Sequence, residues 1–279
     1  MSHSLKNNPL PFSFRQLLAM LWRKSLKKLR KSNQRFQVRS ADYMPSQLIF
    51  DIDKKEYFRV KIRNRVDLSV LGQVFNAEDY RLKRLGRYSN LIDYYQKLIS
   101  DGKKPLILDL GANNGMSTLY FSRDFPEAHL ISLEPDYENY RLALENNLQM
   151  KNVEIINAGI SSENGRGSIT NKGGEDWAFR TKLSASGEIQ MLSINSLLEK
   201  TLTSNGAPYI AKIDIEGFES DLFSKNTEWV DQFPLIIIEL HDWMLPNQAN
   251  SKNFLQCVSK LNRDFVFHGE NVFSMKNGI

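Results

Sequence analysis

A single cysteine, Cys257, stands among 279 residues, so neither an internal disulfide nor a thiolate metal cluster can form, and a reducing compartment is expected. Its neighbours Phe254, Val258 and Leu261 mark an apolar helix face, which reads Cys257 as an inert core thiol. Long apolar runs are missing too. The longest, such as residues 235–240, have strand length, far short of the ~20 residues of a bilayer span, which excludes an integral membrane protein. No internal repeat of ~20–50 residues is visible, which excludes a solenoid. What is present is ordinary: 41% apolar, 25% charged, 15 Gly and 9 Pro describe a globular chain rather than a disordered or collagenous one.

Acid is missing from the first 41 residues, which hold ten Lys and Arg. The remainder carries 27 basic against 32 acidic residues, so the net charge of +5 belongs to the arm and the body is mildly acidic. That division argues against a nucleic-acid reader despite a sequence pI near 9.1, and no nucleic-acid partner is expected. Within the arm Phe14, Leu17, Leu18, Leu21, Trp22 and Leu29 recur at helical spacing, while six basic residues crowd positions 23–31. The pattern is that of a helix lying on an anionic membrane surface. A solvated charge run whose apolar half docks on the body is the competing reading. The charges follow the apolar stretch, which argues against a secretory signal, while an acid-free mitochondrial presequence remains compatible. The expectation is a cytoplasmic protein with peripheral membrane contact through this arm.

The chain divides into the arm at residues 1–45, an accessory layer at 46–103 and a main domain at 104–279. In the accessory layer, segments 47–52 and 57–62 flank the polar Asp53-Lys54-Lys55 turn and predict a β-hairpin, and 66–80 predicts a helix. From residue 104 onward, β-rich runs at 106–110, 130–133, 153–157, 209–214, 235–240, 265–268 and 272–275 alternate with amphipathic segments. This predicts a doubly wound, mostly parallel seven-stranded α/β sheet, with the last two runs forming an antiparallel hairpin at one edge. Residues 161–190 carry five glycines and read as an irregular insertion forming a lid or acceptor wall.

The chemistry concentrates where the first of these strands ends, in Asp109-Leu110-Gly111-Ala112-Asn113-Asn114-Gly115. Gly111 lets a ligand approach the backbone, and Gly115 frees the strand-to-helix turn of side chains. A dinucleotide fingerprint requires glycine at 113, where Asn stands, so a pyrophosphate cradle is disfavoured. Glu134 ends the next strand, where paired carboxylate oxygens match the two hydroxyls of a ribose. The plainer alternative is that Asp109 and Glu134 only cap helices or line a loop.

These motifs, with Leu133-Glu134-Pro135, residues 212–219 (KIDIEGFE) and residues 236–241 (IIIELH), resemble the FkbM-type family of S-adenosylmethionine-dependent methyltransferases. The similarity spans about residues 56–276, with residues 60–63, Val74-Phe75 and Tyr80 resembling the segment that precedes the cofactor loop. It implies a class I methyltransferase (Rossmann-like) sheet, S-adenosylmethionine as cofactor, and O-methylation of a sugar, glycan or hydroxylated natural product. By position it places Asp109, Gly111, Ala112, Asn113 and Gly115 around the methionine part of the cofactor, Glu134 at the ribose, and Asn157 with Ala158 at the adenine edge. An Asn leaving a strand is equally a turn former.

An alcohol needs a base or metal to become a nucleophile. Asp214 and His241 follow adjacent predicted strands, at the carboxyl ends where open α/β sheets bind ligands. His241 is the first choice of general base, oriented by Glu239 or Asp242, and Asp214 is its rival. Asp214, Glu216, Glu219, Glu239, His241 and Asp242 form an acidic group suited to Mg²⁺, although Glu216 and Glu219 also fit a helix start; no residue is assigned as a metal ligand and Mg²⁺ is not required. Trp177 and Trp243 offer faces to a sugar, and Arg180 an anion site, unless they only pack or face solvent. Two other function classes stay open: an NAD-linked nucleotide-sugar oxidoreductase, and a noncatalytic membrane- or partner-binding protein.

Overall fold

A computed structural model describes residues 34–40, 44–170, 180–183 and 187–279. The basic amphipathic arm before residue 34 and Trp177 lie outside these residues. Among the described residues no helix is long and apolar enough to cross a membrane.

Strands β1 (Phe36–Val38), β2 (Ser46–Asp51) and β3 (Glu56–Lys61) form a small antiparallel sheet in that order. The predicted hairpin is its second half. Its first strand corrects the boundary at residue 45, since Phe36–Val38 pairs with residues 49–51 and inserts the buried Phe36 into the core. Helix α1 (Arg65–Leu71) begins where the side chain of Asn64 accepts from the amides of Val66 and Asp67. It runs on as a π-helical turn, Gly72–Ala77, and stops at Glu78 in the left-handed conformation (φ 53°), so the predicted helix ends before Tyr80.

Helix α2 (Tyr88–Ser100) leads to β4 (Lys104–Leu110), α3 (Met116–Asp124), β5 (His129–Leu133), α4 (Tyr137–Asn146) and β6 (Val153–Ile156). The chain then forms β7 (Gly159–Ser161), β8 (Gly165–Thr170), β9 (Arg180–Leu183) and β10 (Ile189–Ser193). These four pair in the order β7-β10-β8-β9, so the segment expected to be an irregular insertion is a separate sheet. Its glycines masked a strand pattern that only the pairing partners reveal. Helix α5 (Ile194–Leu202) returns to β11 (Gly206–Ile213), followed by the single turn α6 (Glu219–Leu222), β12 (Leu235–Glu239), α7 (Lys252–Val258) and the hairpin β13 (Arg263–His268) and β14 (Asn271–Lys276).

The main sheet has seven strands in the order β13-β14-β12-β11-β4-β5-β6. β14 runs antiparallel to both of its neighbours, so the terminal hairpin forms the edge as expected. Alternation along the strands fills two cores. Ile107, Leu130, Tyr209 and Ile237 face the N-terminal layer, while Leu106, Leu108, Ile131, Ile236 and Ile238 face Trp229, Phe254 and α5. Because both faces are covered, these strands are apolar runs. The chain moves outward from β4 to β6 and returns to β11 on the other side of β4. Loops at the carboxyl ends of β4 and β11 therefore diverge and open a crevice.

The N-terminal sheet is fastened by rings and charges. Phe36 stacks edge-on against Phe75 at 5.1 Å and lies 5.8 Å from Tyr120. Asp51, fully buried, takes Arg35 at 3.0 and 3.1 Å and Arg123 of α3 at 3.1 Å. Burial pushes its carboxyl up, but the two guanidinium groups outweigh this and hold it below its usual range. Replacing Asp51 with Ala leaves two buried cations short of a partner, and a loss of about 3 kcal/mol is expected in urea unfolding. A loss below about 1 kcal/mol would mean that Asp124 and Glu56 suffice for Arg35 and Arg123.

Candidate functional site

The loop after β4 is shaped from within. Gly111 has φ 81°, and a Cβ there would meet the Asp214 carbonyl oxygen at 1.7 Å. Its bare backbone serves the close approach of the β11 exit before it serves any ligand. Gly115 has φ 76°, and a Cβ would strike Asn147 and Ala143 of the α4 segment at 2.6–2.8 Å. Asn113, standing where a dinucleotide loop carries glycine, is itself left-handed (φ 49°), a conformation that Asn tolerates better than most residues.

Asp109 lies beneath the loop and lines neither of the cavities described below. Its carboxylate accepts from Ser117 at 2.7 Å and Thr118 at 2.6 Å, and pairs with Lys212 Nζ at 3.1 Å. The expected contact with an amino-acid tail is therefore corrected: Asp109 is fully buried and anchors the helix start. Lys212, overlooked as a site residue, donates to the Gly111 carbonyl at 2.7 Å and approaches Asp214 at 3.6 Å. Burial opposes its charge, but Asp109 and Asp214 outweigh burial and keep the ammonium protonated. A lysine in a strand pattern gives no sequence signal for such a role.

Glu134 faces a narrow crevice of about 50 Å³, shared with Gly111, Leu133, Ala158, Ile160 and Phe218. Its two oxygens accept one amide each, from Asn113 at 2.7 Å and Asp136 at 2.9 Å. Each keeps a free lone pair. Burial raises its carboxyl to about 7, against the pull of those two amides. This pair of acceptors fits the two hydroxyl donors of a vicinal diol. Ala158 is in the crevice wall, whereas Asn157 spends its amide on the carbonyls of Glu134 and Pro135 at 2.9 and 3.0 Å. Asn157 thus ties the β5 and β6 exits together and does not line the crevice, which corrects its assignment to the adenine edge.

Four residues, Gly111, Asn113, Asp214 and Glu216, also border a wider pocket of about 460 Å³. Glu239, Glu270, Tyr80 and Trp243 line that pocket, and α1 closes it through Arg65, Val66 and Ser69. The side chain of Arg180 is not described, and Trp243 alone of the two tryptophans is placed at this pocket.

His241 is buried behind the pocket and lines neither cavity. Its Nδ1 lies 2.8 Å from Glu219 Oε1, and Asn250 donates to the other Glu219 oxygen. Glu219, read from sequence as a helix-start residue, is the orienting partner; Asp242 instead accepts from the Ser251 amide at 3.3 Å. His241 Nε2 points at Glu239, Asp214 and Glu216, at 3.5, 3.6 and 3.7 Å. Burial disfavours the imidazolium, but the Glu219 hydrogen bond and the surrounding carboxylates raise the ring to about 9. The ring lines neither cavity and faces carboxylates through both nitrogens, so its position favours a carboxylate that borders the wide pocket over His241 as the base. Burial and the charge of Asp214 raise Glu216 to about 7 and Glu239 to about 8, against the opposing pull of His241.

The family of the methyltransferase FkbM domain matches residues 109–267, more than half of the chain. No curated relative matches it. Among solved structures, a Klebsiella pneumoniae protein provisionally described as an O-methyltransferase is 15% identical, with 66% of this chain and 79% of that one covered, at a TM-score of 0.39. A Staphylococcus aureus protein provisionally described as a caffeoyl-CoA O-methyltransferase is 13% identical over 77% and 99%, at 0.38. The precorrin-6y C5,15-methyltransferase of Geobacter metallireducens is 12% identical over 63% and 81%, at 0.35. The seven-stranded sheet with its reversed penultimate strand is the class I methyltransferase arrangement expected from the sequence.

Gly111→Ala is expected to lose more than about 2 kcal/mol of stability and to abolish ligand uptake in the crevice, since both the left-handed backbone and the Asp214 contact oppose it. Gly72→Ala, with right-handed φ −60° and no atom within 4 Å, should be neutral or stabilising by up to about 1 kcal/mol. Thermal unfolding and calorimetry on both variants check this contrast; equal effects would contradict it.

Proposed function

We propose that this chain, which belongs to the FkbM methyltransferase family, moves a methyl group from S-adenosylmethionine to a hydroxyl of a sugar, glycan or hydroxylated natural product. The observation that carries this reading is the pair of cavities meeting at Asp214: a narrow one holding a diol-ready carboxylate, and a wide, acidic one beside it. The cofactor brings a methyl group on a sulfonium, whose departure as a neutral thioether needs no help from the protein.

The work of this chain is alignment and removal of one proton. Glu134 accepts the ribose hydroxyls, and the apolar wall of Leu133, Ala158, Ile160 and Phe218 takes the adenine. A methyl group held in that crevice would be available to an acceptor in the wide pocket, since Asp214 borders both. Glu239, which lines that pocket, is the base that receives the hydroxyl proton, and it does so from the fraction ionised above its raised pKa, so turnover should climb with pH through about 8. The acceptor oxygen gains the methyl carbon as the sulfur–methyl bond breaks, and the bonding pair stays on sulfur. Asp214 and Trp243 position a polyol by hydrogen bonding and by a flat apolar face.

A dinucleotide-dependent oxidoreductase is disfavoured by the family match and by the Asn113 side chain in the loop. The membrane-docking alternative rests on the arm, which lies outside the described residues.

Two outcomes test the reading. Because a diol needs the Glu134 carboxylate and burial raises that group to about 7, cofactor affinity should be full above pH 7 and fall below it, by about tenfold at pH 6. Calorimetry should show this slope in the wild type and its disappearance in Glu134→Gln; a flat profile in both removes Glu134 from the ribose. In assays with isotopically labelled methyl donor and a panel of sugars and glycans, Glu239→Gln should lower turnover at least ~100-fold with cofactor affinity unchanged. Turnover within a few-fold of wild type would disqualify Glu239.

A further inference from the structure

We propose that Asp214, Glu216 and His241 bind one divalent transition-metal cation of the Mn²⁺ or Zn²⁺ kind on the floor of the wide pocket, where it engages adjacent oxygens of the acceptor. One ligand atom from each of these residues lies within 4.8 Å of the others. The inference rests on the reading of this pocket as the acceptor site, but its test does not require methyl transfer.

The spacing is that of ligands and not of hydrogen-bond partners. His241 Nε2 is 3.6 Å from Asp214 Oδ1 and 3.7 Å from Glu216 Oε2, both beyond the ~2.7–3.2 Å of an N–H···O bond. Two atoms held ~2.1 Å from one cation at ~110–120° lie about 3.4–3.6 Å apart. Octahedral Mg²⁺ with its ~2.1 Å bonds sets neighbouring ligands near 3.0 Å, so a cation with wider angles or longer bonds fits better. Imidazole among the donors also favours a transition-metal ion, Zn²⁺ above all, over Mg²⁺.

A second observation concerns the ring itself. His241 is 1% exposed, and its Nε2 is aimed into the cluster with its carboxylate neighbours at 3.5–3.7 Å, while Nδ1 is held at 2.8 Å by the fully buried Glu219. Carboxylate on one ring nitrogen and metal on the other is the arrangement that fixes the tautomer of a ligating histidine. Asn250 orients Glu219 in turn.

Charge counts point the same way. Four carboxylates, Asp214, Glu216, Glu219 and Glu239, surround this imidazole, and the neighbouring Lys212 is shared with Asp109. A single imidazolium leaves the group negative. A divalent ion in place of the Nε2 proton lessens that excess of negative charge, and Asp214 and Glu216, which border the pocket, leave its remaining positions open to it. Vicinal hydroxyls occupying those positions would be fixed in register with the donor crevice, with Glu239 free for the proton.

The full chain, stripped with chelator and confirmed folded by circular dichroism, is titrated with Mn²⁺ by electron paramagnetic resonance and with Zn²⁺ by calorimetry. One site per chain is expected. His241→Gln and Glu216→Gln should each abolish stoichiometric uptake, Glu219→Gln should weaken it about 10–100-fold, and Asp242→Asn should bind as wild type. Glu216→Gln guards against misfolding of the buried His241 variant. Absence of uptake by the folded wild type, or uptake indifferent to both ligand variants, overturns the proposal. Cofactor calorimetry on the stripped protein separates the two readings: cofactor binding without metal uptake rejects only the metal site, and metal uptake without cofactor binding rejects only the methyl-transfer reading.

Discussion

Lys212 holds the two halves of the site in register. Its ammonium, buried between β4 and β11, touches the Gly111 carbonyl and the Asp109 carboxylate and approaches Asp214. An ammonium and a carboxylate removed from water each cost several kcal/mol unless they meet, so neither is stable here without the other. The pairing locks the loop after β4 against the exit of β11. At that join only a glycine fits opposite the Asp214 carbonyl. The narrow crevice and the wide pocket share this seam, which is why Gly111, Asn113, Asp214 and Glu216 border both.

The accessory layer is a working part of the site. Helix α1 and Tyr80 close the wide pocket opposite Glu239. They are held there by the aromatic packing of Phe36, Phe75 and Tyr120 and by Asp51 between two arginines. Asn114 of the donor loop donates to Asp67 of α1 at 3.1 Å, so the wall of the wide pocket is bonded directly to the cofactor loop.

Much of this was legible beforehand where the signal is local. Apolar runs separated by amphipathic segments located all seven strands, the central ones because a strand covered on both faces has to be apolar throughout and the exposed edge strand β13 because of its run Phe265-Val266-Phe267. Glu134 and the glycines at 111 and 115 were visible as a strand exit and a turn. Other features depend on partners far away in the chain. Asp109 looked like a ligand and is an anchor, since its partner is 103 positions further on in Lys212. Asn157 looked like a base reader and is a clasp. The glycine-rich segment after residue 159 hid a sheet whose strands make sense only when paired.

Composition and period by themselves determined the class of fold and the positions where strands end, because backbone preference and burial act over a few residues at a time, and short ordered motifs carried the family resemblance. Only the tertiary structure decided which carboxylates meet and which of them holds His241. Those properties depend on distances between β11, β12 and α6 and on how far each group is withdrawn from water, and neither quantity is written in the local sequence.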